Sequence, residues 1–209
     1  MSSYTVHLLP RKHSNSAIWT SIIAKQKALR LQSLQIAPEA FSSTYEREIA
    51  FKDEEWEKRL QNPSAHTFAV VKTHEDEDKG DEITEKDDED GELVEGEWVG
   101  MSVLFGPLSS DNGKIETGKK VIFEIFGLFV LPDKRGLGLG KKLVDAAVEH
   151  GKVLGKEQKA EEVVVRIRAV PTNKSVVTMY ETLGFKIVEI VRVEGKNDGT
   201  VSMELKSEI

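Results

Sequence analysis

No cysteine occurs among the 209 residues. Disulfides, thiolate metal sites and a cysteine acyl-enzyme are therefore excluded, and thiol usage gives no hint of compartment. No run of about 18 apolar residues is available to cross a bilayer. Residues 1–11 hold no apolar core of signal-peptide length. The expectation is a soluble cytosolic or nuclear protein with no membrane contact. A basic patch interleaved with aromatics is also missing, so nucleic acid is not an expected partner. No spacing of histidines or carboxylates supports a metal site, His74 beside the acidic stretch included.

What the chain has is unevenly distributed charge. Its length suits one well-packed domain, and two would be cramped. The net charge is −7, but residues 74–97 contain fourteen Asp or Glu and two Lys, a local charge of −12 that leaves +5 for the rest. A mildly basic body suits a phosphate-rich cofactor. Residues 74–96 are too acidic and too poor in apolar side chains to pack, which predicts a long mobile hairpin insertion. Such a loop could attract polyamines or basic protein tails, and a solvated loop explains the composition equally.

Residues 4–10 read as a first strand stopped by Pro10. Residues 14–33 read as a helix capped by Ser14 or Asn15, with Ile18, Ile22 and Leu29 at helical spacing. A second helix opens at Pro38 and runs through Tyr45, Ile49 and Trp56 to about Leu60, with a break near residues 50–53. Strands follow at 67–71 and 98–105. A polar loop then carries the turn signal Asp111-Asn112-Gly113. A helix over 137–151 places Leu143 with Ala147, and Val144 with Val148, on a buried face. A strand at 162–170 and a short helix at 173–183 ending at Gly184 come next. Strands at 185–193 and 200–205 close the chain as a hairpin through Asn197-Asp198-Gly199. The order β-α-α-β-β-β-α-β-α-β-β implies a mixed sheet with helices on both faces.

The most informative stretch is residues 123–143. A buried apolar strand ends at Pro132, and glycines at 136, 138 and 140 lead into a helix. Glycines allow a tight turn and close approach of backbone to ligand, and the helix start offers unpaired N–H groups to phosphate. Arg135 adds a fixed positive charge. The P-loop template fails, because Gly136 and Gly140 have three residues between them and Lys141 is followed by Lys142. The dinucleotide fingerprint fails because Gly138 and Gly140 are separated by one residue.

The pattern Arg135-x-x-Gly138-x-Gly140, preceded by Val130-x-Pro132, resembles the acetyl-CoA turn of the GCN5-related N-acetyltransferases, the GNAT superfamily. Asn173 and the run Tyr180-x-x-Leu183-Gly184-Phe185 resemble that family's second motif. Residues Pro38, Phe41, Tyr45, Glu46, Glu48, Trp56, Arg59 and Leu60 resemble its N-terminal helical part, which frames the acceptor side. The resemblance covers nearly the whole chain apart from the acidic insertion. It implies a single domain over 1–209 with a three-layer α/β fold, a central mixed sheet of about seven strands. It implies acetyl-CoA as co-substrate, with no metal, and a small-molecule or peptide amine as acceptor. The pyrophosphate would lie on the amides of Arg135, Gly136, Leu137, Gly138, Leu139, Gly140 and Lys141. The pantetheine arm would pair with the backbone of Leu128, Phe129 and Val130, near Asn173 and Tyr180.

Acetyl transfer needs a neutral amine, a stabilised oxyanion and a departing thiolate that is held or protonated. Tyr180 is the candidate acid: a phenol with pKa about 10 can donate to a thiolate whose acid has pKa about 8.5. Glu124 is the candidate base, since a carboxylate inside an apolar strand needs a reason. A water chain could serve instead, and Tyr180 could simply pack. Backbone N–H groups around Leu128–Val130 are the candidate oxyanion donors. Two other readings stay open: a CoA-binding sensor or scaffold without turnover, and an interaction module built on the acidic loop. The sequence sets neither acceptor identity nor oligomeric state.

Overall fold

The computed structural model describes residues 2–74, 85–108, 120–191 and 199–209. The elements are β1 (Ser2–Leu8), α1 (Ser16–Ile36), α2 (Tyr45–Ile49), α3 (Asp53–Gln61), β2 (Ala65–His74), α4 (Glu85–Glu95), β3 (Glu97–Phe105) and β4 (Lys120–Val130), followed by α5 (Leu139–Glu157), β5 (Glu162–Ala169), α6 (Lys174–Thr182), β6 (Lys186–Val191) and β7 (Thr200–Glu208). The strands form a seven-stranded sheet in the order β1-β2-β3-β4-β5-β7-β6. β4 and β5 are parallel, whereas the β1–β2, β5–β7 and β6–β7 pairs are antiparallel. This is the mixed α/β class that the sequence predicts. Among the described residues, no helix is long and apolar enough to cross a membrane. The turn Asp111-Asn112-Gly113 lies outside the described residues, as do Asn197 and Asp198. The chain divides into two compact units, Met1–Ser102 with Leu128–Leu143, and Val103–Gly127 with Val144–Ile209.

In the first unit, α1 starts where Asn15 Oδ1 accepts the N–H groups of Ala17 and Ile18 at 2.9 and 3.4 Å. It runs three residues past the expected end, to Ile36. The residue before a proline avoids helical backbone angles, so Pro38 fixes the stop. The expected second helix breaks near residues 50–53 as anticipated, separating α2 from α3, and it is also interrupted after a 3-10 turn at Pro38–Ala40. Thr44 Oγ1 accepts the Arg47 N–H at 3.3 Å and starts α2 afresh. Glu55 Oε2 accepts the Lys52 N–H at 3.0 Å and anchors the start of α3.

The acidic segment differs from expectation. Residues 85–95 form α4, and Leu93 is only 1% exposed, in a core with Ile22, Leu29, Leu60, Trp98 and Phe129. The Trp98 indole N–H donates to the Leu93 carbonyl at 2.9 Å. His13 Nε2 is 3.0 Å from Asp90, and His7 Nε2 is 2.8 Å from Glu92 though out of line for a hydrogen bond. One deep leucine, with acids turned toward two histidines, is enough to pack a helix that composition reads as solvated. Residues 75–84 lie outside the described residues.

In the second unit, β4 pairs with β5 from Lys120↔Glu162 to Ile125↔Ile167, and β5 continues against β7. Phe123, Val163, Val165, Ile167, Met203 and Phe185 are buried. Gly151 of α5 faces the sheet, and an added Cβ would meet Leu104, Phe123 and Val165 at 3.6 Å, ordinary contact. The predicted buried face of α5 is present, with Leu143, Val144, Ala147 and Val148 all buried.

Candidate functional site

In the first unit, β4 ends at Leu128, Phe129 and Val130 and passes through a 3-10 turn at Pro132–Lys134 to α5. On one side this end is held by β3: the Leu131 N–H donates to the Val99 carbonyl at 2.9 Å. Gly100 makes room, since a Cβ there would come within 3.0 Å of the Phe129 carbonyl. Phe129 is buried, while Leu128 and Val130 are half-buried. Arg135 Nε donates to the Val130 carbonyl at 3.1 Å, which ties the guanidinium to the strand end.

The turn itself is open. Gly136 and Gly138 adopt φ of 83° and 73°, and a Cβ at either would meet nothing within 4 Å. Backbone geometry, not space, therefore demands glycine there. Gly140 differs, lying inside the first turn of α5. Arg135, Gly136, Leu137, Gly138 and Lys141 are exposed and Leu139 is buried. The first bond of α5 runs from the Lys142 N–H to the Gly138 carbonyl at 3.0 Å. The N–H groups of Leu139, Gly140 and Lys141 thus have no partner within the helix. With Arg135, Lys141 and Lys142 alongside, these donors fit a pyrophosphate.

Within the second unit, β4 leaves its ladder with β5 at Ile125, although β5 runs on to Ala169. Two residues later Gly127 takes φ 64°, a left-handed residue inside a strand and the mark of a bulge. The inside–outside alternation breaks here, with Phe123, Glu124 and Ile125 buried in succession and Phe126 exposed. Sequence reading overlooked Gly127. A lone glycine in an apolar strand was the available signal.

Glu124 is 3% exposed. Its Oε1 lies 3.1 Å from Arg168 Nε but out of line for a hydrogen bond, so the contact is Coulombic. In register, Glu124 stands beside Arg166, which grips Glu204 through Nε and Nη2 at 3.1 and 2.8 Å. Burial pushes the Glu124 carboxyl above its usual range, and the pull of Arg168 and Arg166 only partly offsets this. The two arginines were not anticipated from sequence, because only strand register brings them to Glu124.

Asn173 caps α6. Its Oδ1 accepts the Val176 N–H at 3.4 Å and the Ser175 hydroxyl at 3.1 Å. At the other end of α6, the Phe185 N–H reaches the Tyr180 carbonyl at 3.1 Å and the Gly184 N–H reaches the Glu181 carbonyl at 2.9 Å. Gly184 is at φ 89°, completing a Schellman cap. The Tyr180 and Phe185 rings, 6.0 Å apart, supply the apolar contact that accompanies this cap. The Tyr-x-x-x-Gly-Phe spacing thus has a local structural cause that also fixes the Tyr180 ring. Burial pushes the Tyr180 phenol well above its ordinary value, which makes it a weaker acid than a free phenol. The second unit thus holds Glu124, Asn173 and Tyr180, and the first holds the glycine turn with Leu128–Val130.

Residues 88–187 match the model of the acetyltransferase (GNAT) domain. The match takes in the glycine turn, Glu124, Asn173 and Tyr180 and leaves out residues 1–87. A stretch of 74 residues is 34% identical to an uncharacterized N-acetyltransferase of Methanocaldococcus jannaschii, covering 35% of this chain and 30% of that protein. The chain thus spans less than a third of that curated relative. In fold it is similar to Arabidopsis thaliana NAA60 solved with acetyl-CoA, at 13% identity, covering 98% of each chain with a TM-score of 0.60. It is also similar to the spermidine N-acetyltransferase of Vibrio cholerae solved with CoA and spermine, at 13% identity and a TM-score of 0.55, covering 97% of this chain and 95% of that one. At these identities the structural likeness is one of fold.

Proposed function

We propose that this chain, which carries a GNAT acetyltransferase domain, moves the acetyl group of acetyl-CoA onto a primary amine by direct attack in a ternary complex. The observation that carries the reading is the open turn at residues 135–141, with unpaired helix-start amides beside Arg135 and two left-handed glycines. The amides and Arg135 bind the pyrophosphate. β4 past Ile125 takes no part in the ladder with β5, which suits the backbone of Leu128, Phe129 and Val130 to the pantetheine arm. Acetyl-CoA supplies an activated acyl carbon and a thiolate leaving group. No cysteine exists to form an acyl-enzyme, so the amine nitrogen attacks the carbonyl carbon itself.

Glu124 takes the proton that the amine must shed, a role that its raised pKa favours. An N–H in 128–130 faces the oxyanion. Tyr180 holds the departing thiolate through its hydroxyl and donates to it as the C–S bond breaks, although burial raises the phenol and weakens it as an acid. The acceptor is a small-molecule or peptide amine, in keeping with the spermidine enzyme of similar fold. The test is thermal-shift titration with acetyl-CoA, followed by thiol release over a panel of amines. A saturable rise in Tm with acetyl-CoA is expected. Absence of any rise would sink the reading, and a rise without thiol release would favour a sensor.

A further inference from the structure

Arg166 and Arg168 lie two residues apart on β5, so strand alternation puts both side chains on one face of the sheet. Their neighbours differ. Opposite Arg166 on β7 stands Glu204, which accepts its Nε and Nη2 at 3.1 and 2.8 Å. Opposite Arg168 stands Ser202, buried and uncharged. On the other side, β4 sets Glu124 beside Arg166 and then leaves the ladder at Ile125, before the position that would face Arg168. The Arg168 side chain is 56% exposed, and its ion pair among the described residues is with Glu124 Oε1, 3.1 Å from Nε and out of line for a hydrogen bond. Glu189, across Ser202 on β6, is exposed and forms no ion pair with Arg168 among the described residues.

Neither member of this pair is satisfied. Glu124 is 3% exposed and its Oε1 accepts no hydrogen bond among the described residues, a state that costs free energy until a donor arrives. The Arg168 guanidinium offers N–H donors in a planar fork that matches a carboxylate through two parallel bonds. In the proposed function Glu124 takes the proton of the acceptor, so the acceptor arrives as an ammonium beside a fixed cation. A simple amine or a polycation is repelled there. An amine whose neighbouring carbon carries a carboxylate is not, because its ammonium meets Glu124 while its carboxylate meets Arg168. The two charges of an α-amino acid are side by side, as are those of Glu124 and Arg168. A cation at this place also favours loss of the amine's proton.

We propose that Arg168 selects the acceptor by binding the carboxylate of an α-amino acid whose amine is presented to Glu124. The inference rests on the acetyl-transfer reading for its kinetic arm. Thiol release is measured with acetyl-CoA over the α-amino acids, their amides and spermidine. An amide is the less basic amine and offers more of its neutral form, so without recognition it would react faster than the acid. Wild-type kcat/KM should instead favour the best acid over its amide at least about tenfold, the scale of a charge-assisted hydrogen bond. Arg168→Met should abolish that preference, and Arg168→Lys, which keeps the charge without the fork, should restore part of it. An amide or spermidine as the better wild-type acceptor overturns the proposal. So do equal losses for acid and amide in Arg168→Met, which would mean that Arg168 acts only through the charge of Glu124. Calorimetry of the amino acid in the presence of CoA gives a readout without turnover. Affinity should fall at least about tenfold in Arg168→Met, while acetyl-CoA Kd holds within about twofold because the glycine turn keeps its donors. Unchanged amino-acid affinity, or no binding of any amino acid by wild type, refutes the site. Should wild type fail to bind acetyl-CoA, the functional reading falls, and calorimetry of the amino acid alone judges Arg168.

Discussion

Substituting Gly136 and Gly138 separates what the turn does for folding from what it does for binding. Both residues are left-handed, at φ 83° and 73°, and neither would bring a Cβ within 4 Å of anything. Alanine at either position therefore clashes with no neighbour and costs only the strain of a left-handed L-residue, about 1–2 kcal/mol. In a chain of 209 residues, about 1 kcal/mol lowers Tm by roughly 2–4 °C. Binding should suffer more. In the proposed cradle the backbone lies close to the pyrophosphate, and losing one charge-assisted bond of about 1.5–3 kcal/mol weakens affinity by at least about tenfold. Asparagine is the informative control, because it tolerates this conformation. Gly138→Asn should recover most of the Tm lost in Gly138→Ala and still bind acetyl-CoA poorly, since its side chain stands in the ligand's path. Calorimetry with acetyl-CoA and a thermal melt of each variant give both numbers. Alanine variants that melt lower but bind within about twofold of wild type would show that the turn is not the pyrophosphate cradle.

Tyr180→Phe retains the ring that packs on Phe185, so Tm and acetyl-CoA Kd should hold while kcat falls by about 10²-fold, the scale of one lost proton donor; an unchanged kcat removes Tyr180 from the chemistry. A base must be ionised, so wild-type kcat/KM should decline as pH falls through the raised pKa of Glu124, and Glu124→Gln should be slow and lack that acid limb. The stability sign is opposite to that of a salt-bridged carboxylate. A raised folded-state pKa favours folding below the unfolded value and loses that contribution as pH rises through the folded one. Glu124→Gln should therefore keep or raise the urea midpoint at neutral pH, and a marked drop would mean the Arg168 contact outweighs burial. Gly96→Ala tests the docking of α4. Its Cβ would lie 2.2 Å from Val71 Cγ1 and 2.6 Å from the Glu92 carbonyl, predicting a loss of about 1–3 kcal/mol in urea unfolding.

The β4–turn–α5 unit was legible because its causes are local. Pro132 ends a strand, left-handed positions at 136 and 138 require glycine, and apolar residues four apart give α5 its buried face. The same holds for Tyr180, Gly184 and Phe185, which form one helix cap. The α4 segment was misjudged because its docking depends on one buried leucine and on His7 and His13, distant in sequence. The helix expected over 38–60 does break near residues 50–53 as expected, but the interruption before Tyr45 was not anticipated. Thr44 and Lys52 each begin a new helix start through short-range hydrogen bonds, and apolar periodicity does not register such bonds.

By itself, then, the sequence determined the order of the strands, the glycine turn and the absence of cysteine chemistry, because proline, glycine and cysteine act through constraints confined to a few neighbouring residues. Tertiary structure decided the rest. It put Arg166 and Arg168 beside Glu124, ended the β4–β5 ladder at Ile125, and closed Arg30 and Arg59 onto Glu48. Those pairings follow from strand register and helix packing, which bring residues 11 to 44 positions apart into contact. Charge and burial at such contacts shift the pKa values on which the proposed chemistry depends.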